Sequence, residues 1–208
     1  MSARVVVMTK VPVPGEVKTR LMPPLTAEGA AALHGAMILD TLDKVVASGL
    51  RCTVALAGDP SHPLVDHLRA AGIRIEPQQG ADLGARLRHA LRGPDRAIAL
   101  GADCVCFSPD WLREAAGADE AVSLGPAEDG GYWAIAVTPE SRPVVFERIS
   151  WSTQAVHAQT LARAEAAGLS VAPLPSCYDI DRPADLHRLL QDSRCPARTE
   201  AVLDSLLP

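Results

Sequence analysis

Three cationic side chains lie within eleven residues near the start of the chain. Lys10, Lys18 and Arg20 belong to the segment KVPVPGEVKTRL (10–21), which directly follows the apolar run Val5–Met8. The prolines and the glycine of this segment end a strand and disfavour a helix, so we predict a stiff loop after a first β-strand. Ligands of open α/β sheets bind at that edge, and lysine and arginine donors neutralise phosphate oxygens. We therefore favour a phosphate-binding loop over an ordinary solvated loop, with Pro14, Gly15 and Thr19 as further candidate contacts.

The loop is not a Walker A motif. Gly15-Glu16-Val17-Lys18-Thr19 lacks the glycine that precedes the lysine in that motif, and Pro23-Pro24 blocks the helix that should follow. The sequence thus excludes a P-loop ATPase.

Aspartates follow two predicted strands. Asp103 comes directly after the run Ala97–Leu100, where a carboxylate is well placed to hold Mg²⁺ or Mn²⁺, although a turn hydrogen bond would also explain it. Asp179 and Asp181 alternate along an extended segment and therefore share a face, so both could point at one metal. Asp181 could instead cap the helix that follows.

Three further segments carry candidate groups for an acceptor pocket. Glu128 and Asp129 precede Gly130, Gly131 and Tyr132, in a turn that a hairpin would also explain. By default Ser152 or Thr153 caps the next helix, and a pocket role for Trp151 and Ser152 is the alternative. Gln79 and Asp82 lie in a polar loop at a strand end and are the weaker candidates.

The composition narrows the class of partner. The chain has 208 residues, a formal charge of −5 and only 3% aromatic residues, which argues against a nucleic-acid or anionic-membrane partner. The apolar run near the start is too short for a signal peptide, and no stretch is long enough to span a membrane. The five cysteines are odd in number and scattered, which favours a reducing cytoplasm over a zinc site or disulfides.

Strand and helix patterns alternate along the chain. This alternation predicts one α/β domain over residues 1–208, with a core to about 191, a C-terminal tail at 192–208 and a mostly parallel, doubly wound sheet with helices on both faces. No clear helix separates the predicted strands within 121–137, so we expect an antiparallel excursion there. The predicted strands are Val5–Met8, Cys52–Ala57, Ile73–Glu76, Ala97–Leu100, Ala121–Leu124, Tyr132–Val137 and Val171–Leu174.

Taken in order, these segments resemble a bacterial family of glycosyltransferase-A-fold proteins. The matching motifs are K-x-P-x-P-G-x-V-K-T-R-L, Q-x-G-x-D-L-G-x-R, G-S-D-C-P, G-P-A-x-D-G-G-Y-Y, W-S-T and D-x-D-x-P-x-D-L. They stand here at Lys10–Leu21, Gln79–Arg86, Gly101–Val105, Gly125–Trp133, Trp151–Thr153 and Asp179–Leu186. Ala102, Val105 and Trp133 depart from the pattern, which leaves the Asp103 carboxylate in place but alters its surroundings.

The resemblance implies a Rossmann-like sheet, a nucleotide-sugar or NTP ligand, and a divalent metal, Mg²⁺ or Mn²⁺. That family is associated with arsenosugar biosynthesis and is related to nucleotide-sugar nucleotidyltransferases and to 2-phospholactate guanylyltransferase. The resemblance also implies that Asp103 plays the metal-binding role of the superfamily's DxD motif and that Asp181 is the second metal ligand. It supports the fold and the site better than it supports a substrate.

Two classes of function follow. The first is a metal-dependent transferase in which Lys18 and Arg20 stabilise the leaving group and Glu128 or Asp129 accepts a proton. It comes in two forms, glycosyl transfer from a nucleotide sugar to a small acceptor, which the resemblance favours, and nucleotidyl transfer from an NTP with release of pyrophosphate. The second class is a non-catalytic nucleotide-binding or regulatory protein with the same fold.

Overall fold

Seven β-strands form one sheet at the centre of the computed structural model, which describes residues 3–207. Their order across the sheet is β3-β2-β1-β4-β6-β5-β7, and β6 alone among them runs antiparallel, to both β4 and β5. The prediction of a mostly parallel sheet with an antiparallel excursion is thus confirmed. The strands are β1 (Ala3–Lys10), β2 (Arg51–Ala57), β3 (Arg74–Pro77), β4 (Arg96–Gly101), β5 (Val122–Pro126), β6 (Tyr132–Val137) and β7 (Val171–Pro173).

Helices cover both faces of the sheet. Alternating strand residues explain why, since Val5 and Val7 of β1 belong to one buried cluster and Val6 belongs to the cluster on the opposite face. The helices are α1 (Ala27–Ala47), α2 (Pro63–Ala70), α3 (Leu83–Ala90), α4 (Pro109–Gly117), α5 (Arg142–Val145), α6 (Val156–Ala166), α7 (Pro183–Gln191) and α8 (Ala197–Leu206), with a short 3₁₀ turn at Thr19–Leu21.

Neither of the two capping roles considered for candidate site residues is formed. Thr26 caps α1, since its hydroxyl accepts a hydrogen bond of 3.0 Å from Gly29 N. Asp181 does not take the capping role that was its alternative explanation: α7 begins one residue later, and Asp185 accepts the backbone N–H groups of both Asp181 and Arg182. The side chain of Asp181 is therefore free of a capping role.

The helix after the Trp151–Thr153 motif also begins later than predicted. It starts at Val156, and no side chain caps it. The Thr153 hydroxyl instead donates to Ser150 O at 2.7 Å and accepts from Ala155 N at 3.3 Å, so it shapes the loop before α6.

The tail predicted after residue 191 contains α8, which packs against α1. Asp40 on α1 is buried and accepts 2.7 Å hydrogen bonds from the backbone N–H and the hydroxyl of Thr199. Arg198 adds an ion pair with Asp40 at 3.0 Å. None of the helices within residues 3–207 is long and apolar enough to cross a membrane.

Trp133 ties the sheet to the segment that carries Asp179 and Asp181. Its ring stacks on Phe107 with centroids 5.2 Å apart, and its Nε1 donates a 2.9 Å hydrogen bond to the carbonyl of Pro175. A Cβ atom at Gly125 on the adjacent strand would overlap this indole nitrogen. Position 125 is therefore restricted to glycine as long as the tryptophan is present.

Candidate functional site

A cleft of about 470 Å³ opens at the carboxyl ends of β1 and β4. From β1 the chain builds β2 and β3 on one side and then returns to place β4 on the other, so the order of strands reverses here, where open α/β sheets bind ligands. The cleft is lined by Met8, Thr9, Lys10, Glu16, Val17, Lys18, Thr19, Arg20, His34, Gln78, Leu83, Arg86, Ala102, Asp103 and Asp181.

The Lys18 ammonium lies at the centre of this cleft between two carboxylates. Its Nζ is 2.5 Å from Oδ1 of Asp103 and 2.9 Å from Oδ1 of Asp181, and it also donates to the carbonyl of Ile180 at 2.7 Å. The backbone N–H of Ile180 in turn donates to Asp103 O at 3.0 Å. The loop, the end of β4 and the segment before α7 therefore meet at one point.

Burial and charge act in opposite directions on this cluster. The side chain of Lys18 is only 4% exposed, and burial alone would lower its pKa, but Asp103 and Asp181 raise it. Burial would likewise raise the pKa of Asp103, and the Lys18 ammonium lowers it. Both groups are therefore ionised at neutral pH. The carboxylates remain accessible, since the side chains of Asp103 and Asp181 are 46% and 39% exposed.

The other predicted phosphate contacts divide into two groups. Lys10, Thr19 and Arg20 line the cleft, and Arg20 lies 3.8 Å from Asp181 with a side chain that is 73% exposed. Pro14 and Gly15 are exposed but do not line the cleft, so they shape the loop and stand away from the ligand space.

Backbone strain marks both sides of the site. Lys18 has φ 49° and Ser152 has φ 62°, and together with Arg148 they are the non-glycine residues with positive φ among residues 3–207. A left-handed conformation costs about 1–2 kcal/mol in residues other than glycine, and such strain tends to be kept at functional positions. The strain at Lys18 and Ser152 supports a functional role for both loops.

A second cleft of about 470 Å³ shares Arg20 with the first. It brings together five of the predicted acceptor-pocket and catalytic residues, namely Asp129, Gly131, Tyr132, Trp151 and Ser152, and adds Leu83, Thr153, Gln154, Val156 and Arg182. The hydroxyl of Tyr132 is buried without a hydrogen-bond partner. Buried polar atoms nearly always have a partner, and a ligand could supply one here only if the cleft opens around the hydroxyl.

The glycine turn positions this second cleft. Gly130 has φ 89°, and a Cβ there would clash with the backbone of Gln154, while its carbonyl accepts a 2.9 Å hydrogen bond from His157 N. Asp129 Oδ1 accepts from Gly131 N at 2.8 Å, which leaves its second oxygen for other partners. Gly130 thus acts by allowing close approach of two backbones.

Glu128 and Asp129, which the sequence treats alike, differ in the structure. Both oxygens of Glu128 accept from Arg188, at 2.6 Å and 2.7 Å, and these bonds lower the pKa of Glu128. Such a carboxylate is a weak base, so Glu128 fits the pairing of the turn with α7 better than proton transfer. Asp129 is the better candidate of the two.

Asp179 does not contact Lys18. Its Oδ1 accepts from the thiol of Cys104 at 3.1 Å, and burial, reinforced by Asp129, Asp103 and Asp181, raises its pKa to about 7. Asp179 lines a smaller cleft of about 160 Å³ beside Asp129 and Asp181. Asp179 therefore lies beside the Asp103–Asp181 pair, on the side where Asp129 is found.

The polar loop after β3 contributes a residue that the sequence interpretation missed. Gln79 is exposed and lines neither cleft, and Asp82 caps α3 by accepting from Ala85 N at 2.7 Å. Gln78, one position earlier, lines the first cleft and donates to Thr9 O at 2.9 Å and Ala55 O at 3.0 Å. Its place at the end of β3 was the available signal.

His34 is a second residue that the sequence interpretation did not assign to the site. It is buried on α1, lines the first cleft and lies 3.4 Å from the hydroxyl of Thr9 through Nε2, while its Nδ1 has no partner. Burial lowers the pKa of His34 and favours the neutral imidazole. His34 lies in an alanine-rich stretch of the helix with no motif around it, so the sequence gave no indication that it lines the cleft.

The residues present fit a divalent metal under one condition. Within residues 3–207, no three His, Cys, Asp or Glu side chains are placed to hold a metal by themselves. Asp103 and Asp181 nevertheless converge on one point, and Mg²⁺ is commonly held by one or two carboxylates together with substrate phosphates. This donor set fits a metal that binds with a nucleotide, and Lys18 stands at the point of convergence.

The comparison with protein families gives one match. The model of the family described as "Uncharacterized protein conserved in bacteria (DUF2064)" matches residues 41–153, just over half of the chain. No curated protein matches the chain.

Solved structures give close matches in fold. A crystal structure from Desulfovibrio desulfuricans G20, provisionally named a nucleotide-diphospho-sugar transferase, superposes with a TM-score of 0.87 at 29% identity and covers 99% of this chain and 95% of that chain. The inositol-1-phosphate CTP transferase from T. maritima gives 0.62 at 12% identity, covering 100% and 99%. A nucleotidyl transferase from Methanothermobacter gives 0.59 at 14%, covering 89% and 94%. These matches confirm the predicted glycosyltransferase-A-like fold, and all three names agree with the predicted transferase class.

Proposed function

We propose that this chain, which belongs to the bacterial family DUF2064, transfers a group from an activated nucleotide, with glycosyl transfer from a nucleotide-diphospho-sugar to a small acceptor as the reaction. The observation that carries the proposal is the first cleft, where exposed cations face a converging pair of aspartates at the switch point of the sheet. The name of the 29%-identical relative supports a nucleotide sugar as the donor.

In this proposal the phosphates of the donor lie between the basic loop and the Asp103–Asp181 pair. Lys10 and Arg20 are exposed on the loop side and neutralise phosphate oxygens, and Lys18 stabilises the departing diphosphate. Mg²⁺ or Mn²⁺ held by Asp103 and Asp181 would supply Lewis-acid stabilisation of the same leaving group. Cations on both sides of the diphosphate lower the barrier to its departure.

The acceptor occupies the second cleft in this scheme. Asp129 is positioned to take the proton of the acceptor hydroxyl, because it lines that cleft and keeps one carboxylate oxygen uncommitted. Tyr132 and Trp151 form the wall against which the acceptor packs, and the unpartnered Tyr132 hydroxyl gives it a hydrogen bond. Arg20 lies in both clefts and connects donor with acceptor.

Nucleotidyl transfer is the second candidate, and one feature favours it. Arg20 and Arg182 both line the acceptor cleft, and within residues 3–207 neither has a carboxylate partner closer than 3.8 Å. Two arginines in that position suit an acceptor that carries a phosphate, which would attack the α-phosphorus of an NTP and release pyrophosphate. The donor phosphates would bind the same cations in either form.

A binding screen followed by product analysis tests the proposal. Thermal unfolding is measured with a panel of NTPs and nucleotide-diphospho-sugars, with and without Mn²⁺, and a nucleotide that binds is then incubated with candidate acceptors. Release of a nucleoside diphosphate supports glycosyl transfer, and release of pyrophosphate supports nucleotidyl transfer. Binding without turnover would support the non-catalytic alternative, and the absence of binding by either nucleotide class would end the proposal.

A further inference from the structure

The Lys18 ammonium has no hydrogen left for a phosphate. An ammonium carries three N–H donors, and Nζ of Lys18 has three acceptors within 2.9 Å: Asp103 Oδ1, Asp181 Oδ1 and the carbonyl of Ile180. The side chain is 4% exposed, so water does not compete for these positions. Lys18 can therefore bind a phosphate oxygen only after it gives up one of these partners.

The same geometry opposes a metal in the nucleotide-free protein. A divalent ion coordinated by Asp103 and Asp181 would have to enter between carboxylates that Lys18 already bridges at 2.5 Å and 2.9 Å. A metal ion and an ammonium that share the same two carboxylates repel each other strongly, and the burial of Lys18 removes most of the solvent that would screen this repulsion. Metal and ammonium therefore exclude each other from this point.

A nucleotide resolves the conflict because it provides a new partner for Lys18. Two carboxylates and one ammonium give the cluster one net negative charge, which repels a phosphate that arrives without a metal. A metal that arrives without phosphates meets carboxylates that Lys18 already bridges. Metal and phosphates together replace each lost contact, since the metal takes the carboxylates and a phosphate oxygen takes the ammonium. Lys10 and Arg20 at the rim of the cleft add charge on the phosphate side.

We propose that Lys18 is the resident cation of the Asp103–Asp181 pair and that a divalent metal binds the pair only when nucleotide phosphates draw Lys18 away. Metal and nucleotide then bind with positive coupling, and each raises the affinity for the other by the same factor. This inference rests on the proposed function for the identity of the ligand, but its first test needs the metal alone.

Binding of Mn²⁺ to the nucleotide-free protein, measured by electron paramagnetic resonance and calorimetry, tests the exchange. The wild-type protein should bind Mn²⁺ weakly. Lys18→Met removes the charge and keeps an apolar side chain of similar length, so it should tighten Mn²⁺ binding by about tenfold to a thousandfold. This range corresponds to the shift of about 1–3 units that one adjacent cation causes in the pKa of a carboxyl group. The same variant should weaken the binding of a nucleotide.

Two matched variants separate charge from structure. Lys18→Arg keeps the positive charge and should leave Mn²⁺ binding as weak as in the wild type, whereas a merely structural lysine would give the same result for both substitutions. Lys10→Met removes a cation that lines the cleft without contacting Asp103 or Asp181, so it should weaken nucleotide binding without tightening Mn²⁺. If Lys18→Met does not fold, Lys18→Gln takes its place.

The outcomes distinguish this inference from the proposed function. Equal Mn²⁺ affinity in the wild type and in Lys18→Met would contradict the exchange of Lys18 for a metal. Tight Mn²⁺ binding by the wild type without nucleotide would contradict it as well. A protein that binds no nucleotide yet shows tighter Mn²⁺ binding on loss of the Lys18 charge would keep Lys18 as the resident cation and contradict the transferase proposal. If a nucleotide that the wild type binds leaves its Mn²⁺ affinity unchanged, the coupling is absent and the proposal fails.

Discussion

At the amino ends of β1, β2 and β3, a cleft of about 500 Å³ is lined by four arginines and two carboxylates, and the cleft at the carboxyl ends of the same sheet has nearly the same size. The amino-end cleft contains Arg4, Arg51, Arg74 and Arg92 with Glu76 and Asp95. Both edges thus place cations beside carboxylates in a concave surface. Composition and size alone would make either of them a candidate for anion binding.

The two edges differ in how the charges are held. At the amino ends, Glu76 pairs with Arg74 and Arg92 at 2.8 Å, and these arginine side chains are 73% and 51% exposed. At the carboxyl ends the shared cation is Lys18, which is almost completely buried and has a left-handed backbone. Unpartnered buried atoms of His34 and Tyr132 also lie on that side.

The difference shows which kind of charge cluster serves a ligand. Exposed pairs gain little energy from each other and carry no strain, so they act as a solvated surface network. A buried cation between accessible carboxylates, next to strained loops, stores a charge arrangement that a ligand can replace. We therefore assign function to the carboxyl edge and a surface role to the amino edge.

The largest expected effect separates the two edges when one carboxylate is removed from each. Asp103→Ala should lower the turnover of the nucleotide by about 100-fold or more, because it removes one of the two carboxylates proposed to hold the metal that stabilises the leaving group. Asp95→Ala, which removes a carboxylate from the amino-end cleft, should leave turnover within about twofold, in line with a weak surface pair. Steady-state product release measures both, and equal losses in the two variants would remove the distinction between the edges.

Tyr132→Phe examines the unpartnered hydroxyl. In the free protein the substitution should leave the free energy of unfolding unchanged or raise it by about 1 kcal/mol, because a buried hydroxyl without a partner is a cost. The KM for the acceptor should rise by about tenfold, the value of one hydrogen bond. Denaturant unfolding and acceptor titration give the two numbers, and a large loss of stability would show that the hydroxyl already has a structural partner.

Glu76→Gln examines the amino edge through its pH dependence. Burial would raise the pKa of Glu76, but Arg92 and Arg74 outweigh it and lower the pKa. The ionised glutamate therefore stabilises the fold at neutral pH, and this contribution is lost as the pH falls through the lowered pKa. The variant should unfold with about 1 kcal/mol less free energy at pH 7 and match the wild type in acid. A constant difference at all pH values would place the effect in packing.

The smallest effects concern the strained backbone. Ser152→Gly and Arg148→Gly each relieve a left-handed conformation but add flexibility to the unfolded chain, so the free energy of unfolding should change by less than about 1 kcal/mol in both. Only Ser152 lines the acceptor cleft, so only Ser152→Gly should raise the KM for the acceptor. An equal rise of the acceptor KM in Arg148→Gly would mean that the strain of these loops acts on the whole fold and not on the acceptor cleft.

The sequence predicted the sheet well and the connections between distant residues poorly. Apolar runs such as Ala97–Leu100 within β4 mark buried strands unambiguously, and the missing helix between β5 and β6 correctly indicated an antiparallel pair. The pairing of Glu128 with Arg188 joins residues 60 positions apart, and no local pattern encodes it. That pairing decides between Glu128 and Asp129 as a base, so the choice required the structure.

The candidate site shows the same division. Motifs identified Lys18, Asp103 and Asp181 as separate groups with separate partners, a phosphate and a metal. Their contact depends on the hydrogen bond between Ile180 N and Asp103 O, which brings the ends of two distant segments together. The sequence left a metal-binding and a capping role open for Asp181, and the use of Asp185 as the cap shows that Asp181 has no capping role.

The contact between Gly125 and Trp133 has a consequence for how this family can vary. The indole fills the space of a side chain at position 125 and at the same time supports the Pro175 segment through its hydrogen bond. A change at either position alone would disturb the strand or release the segment that leads to Asp179 and Asp181. We expect glycine to be kept at 125 wherever position 133 carries a large aromatic ring, as in the G-P-A-x-D-G-G-Y-Y pattern, where glycine accompanies tyrosine. Variation on this side of the sheet would then be confined to the aromatic ring at 133, with the glycine held constant.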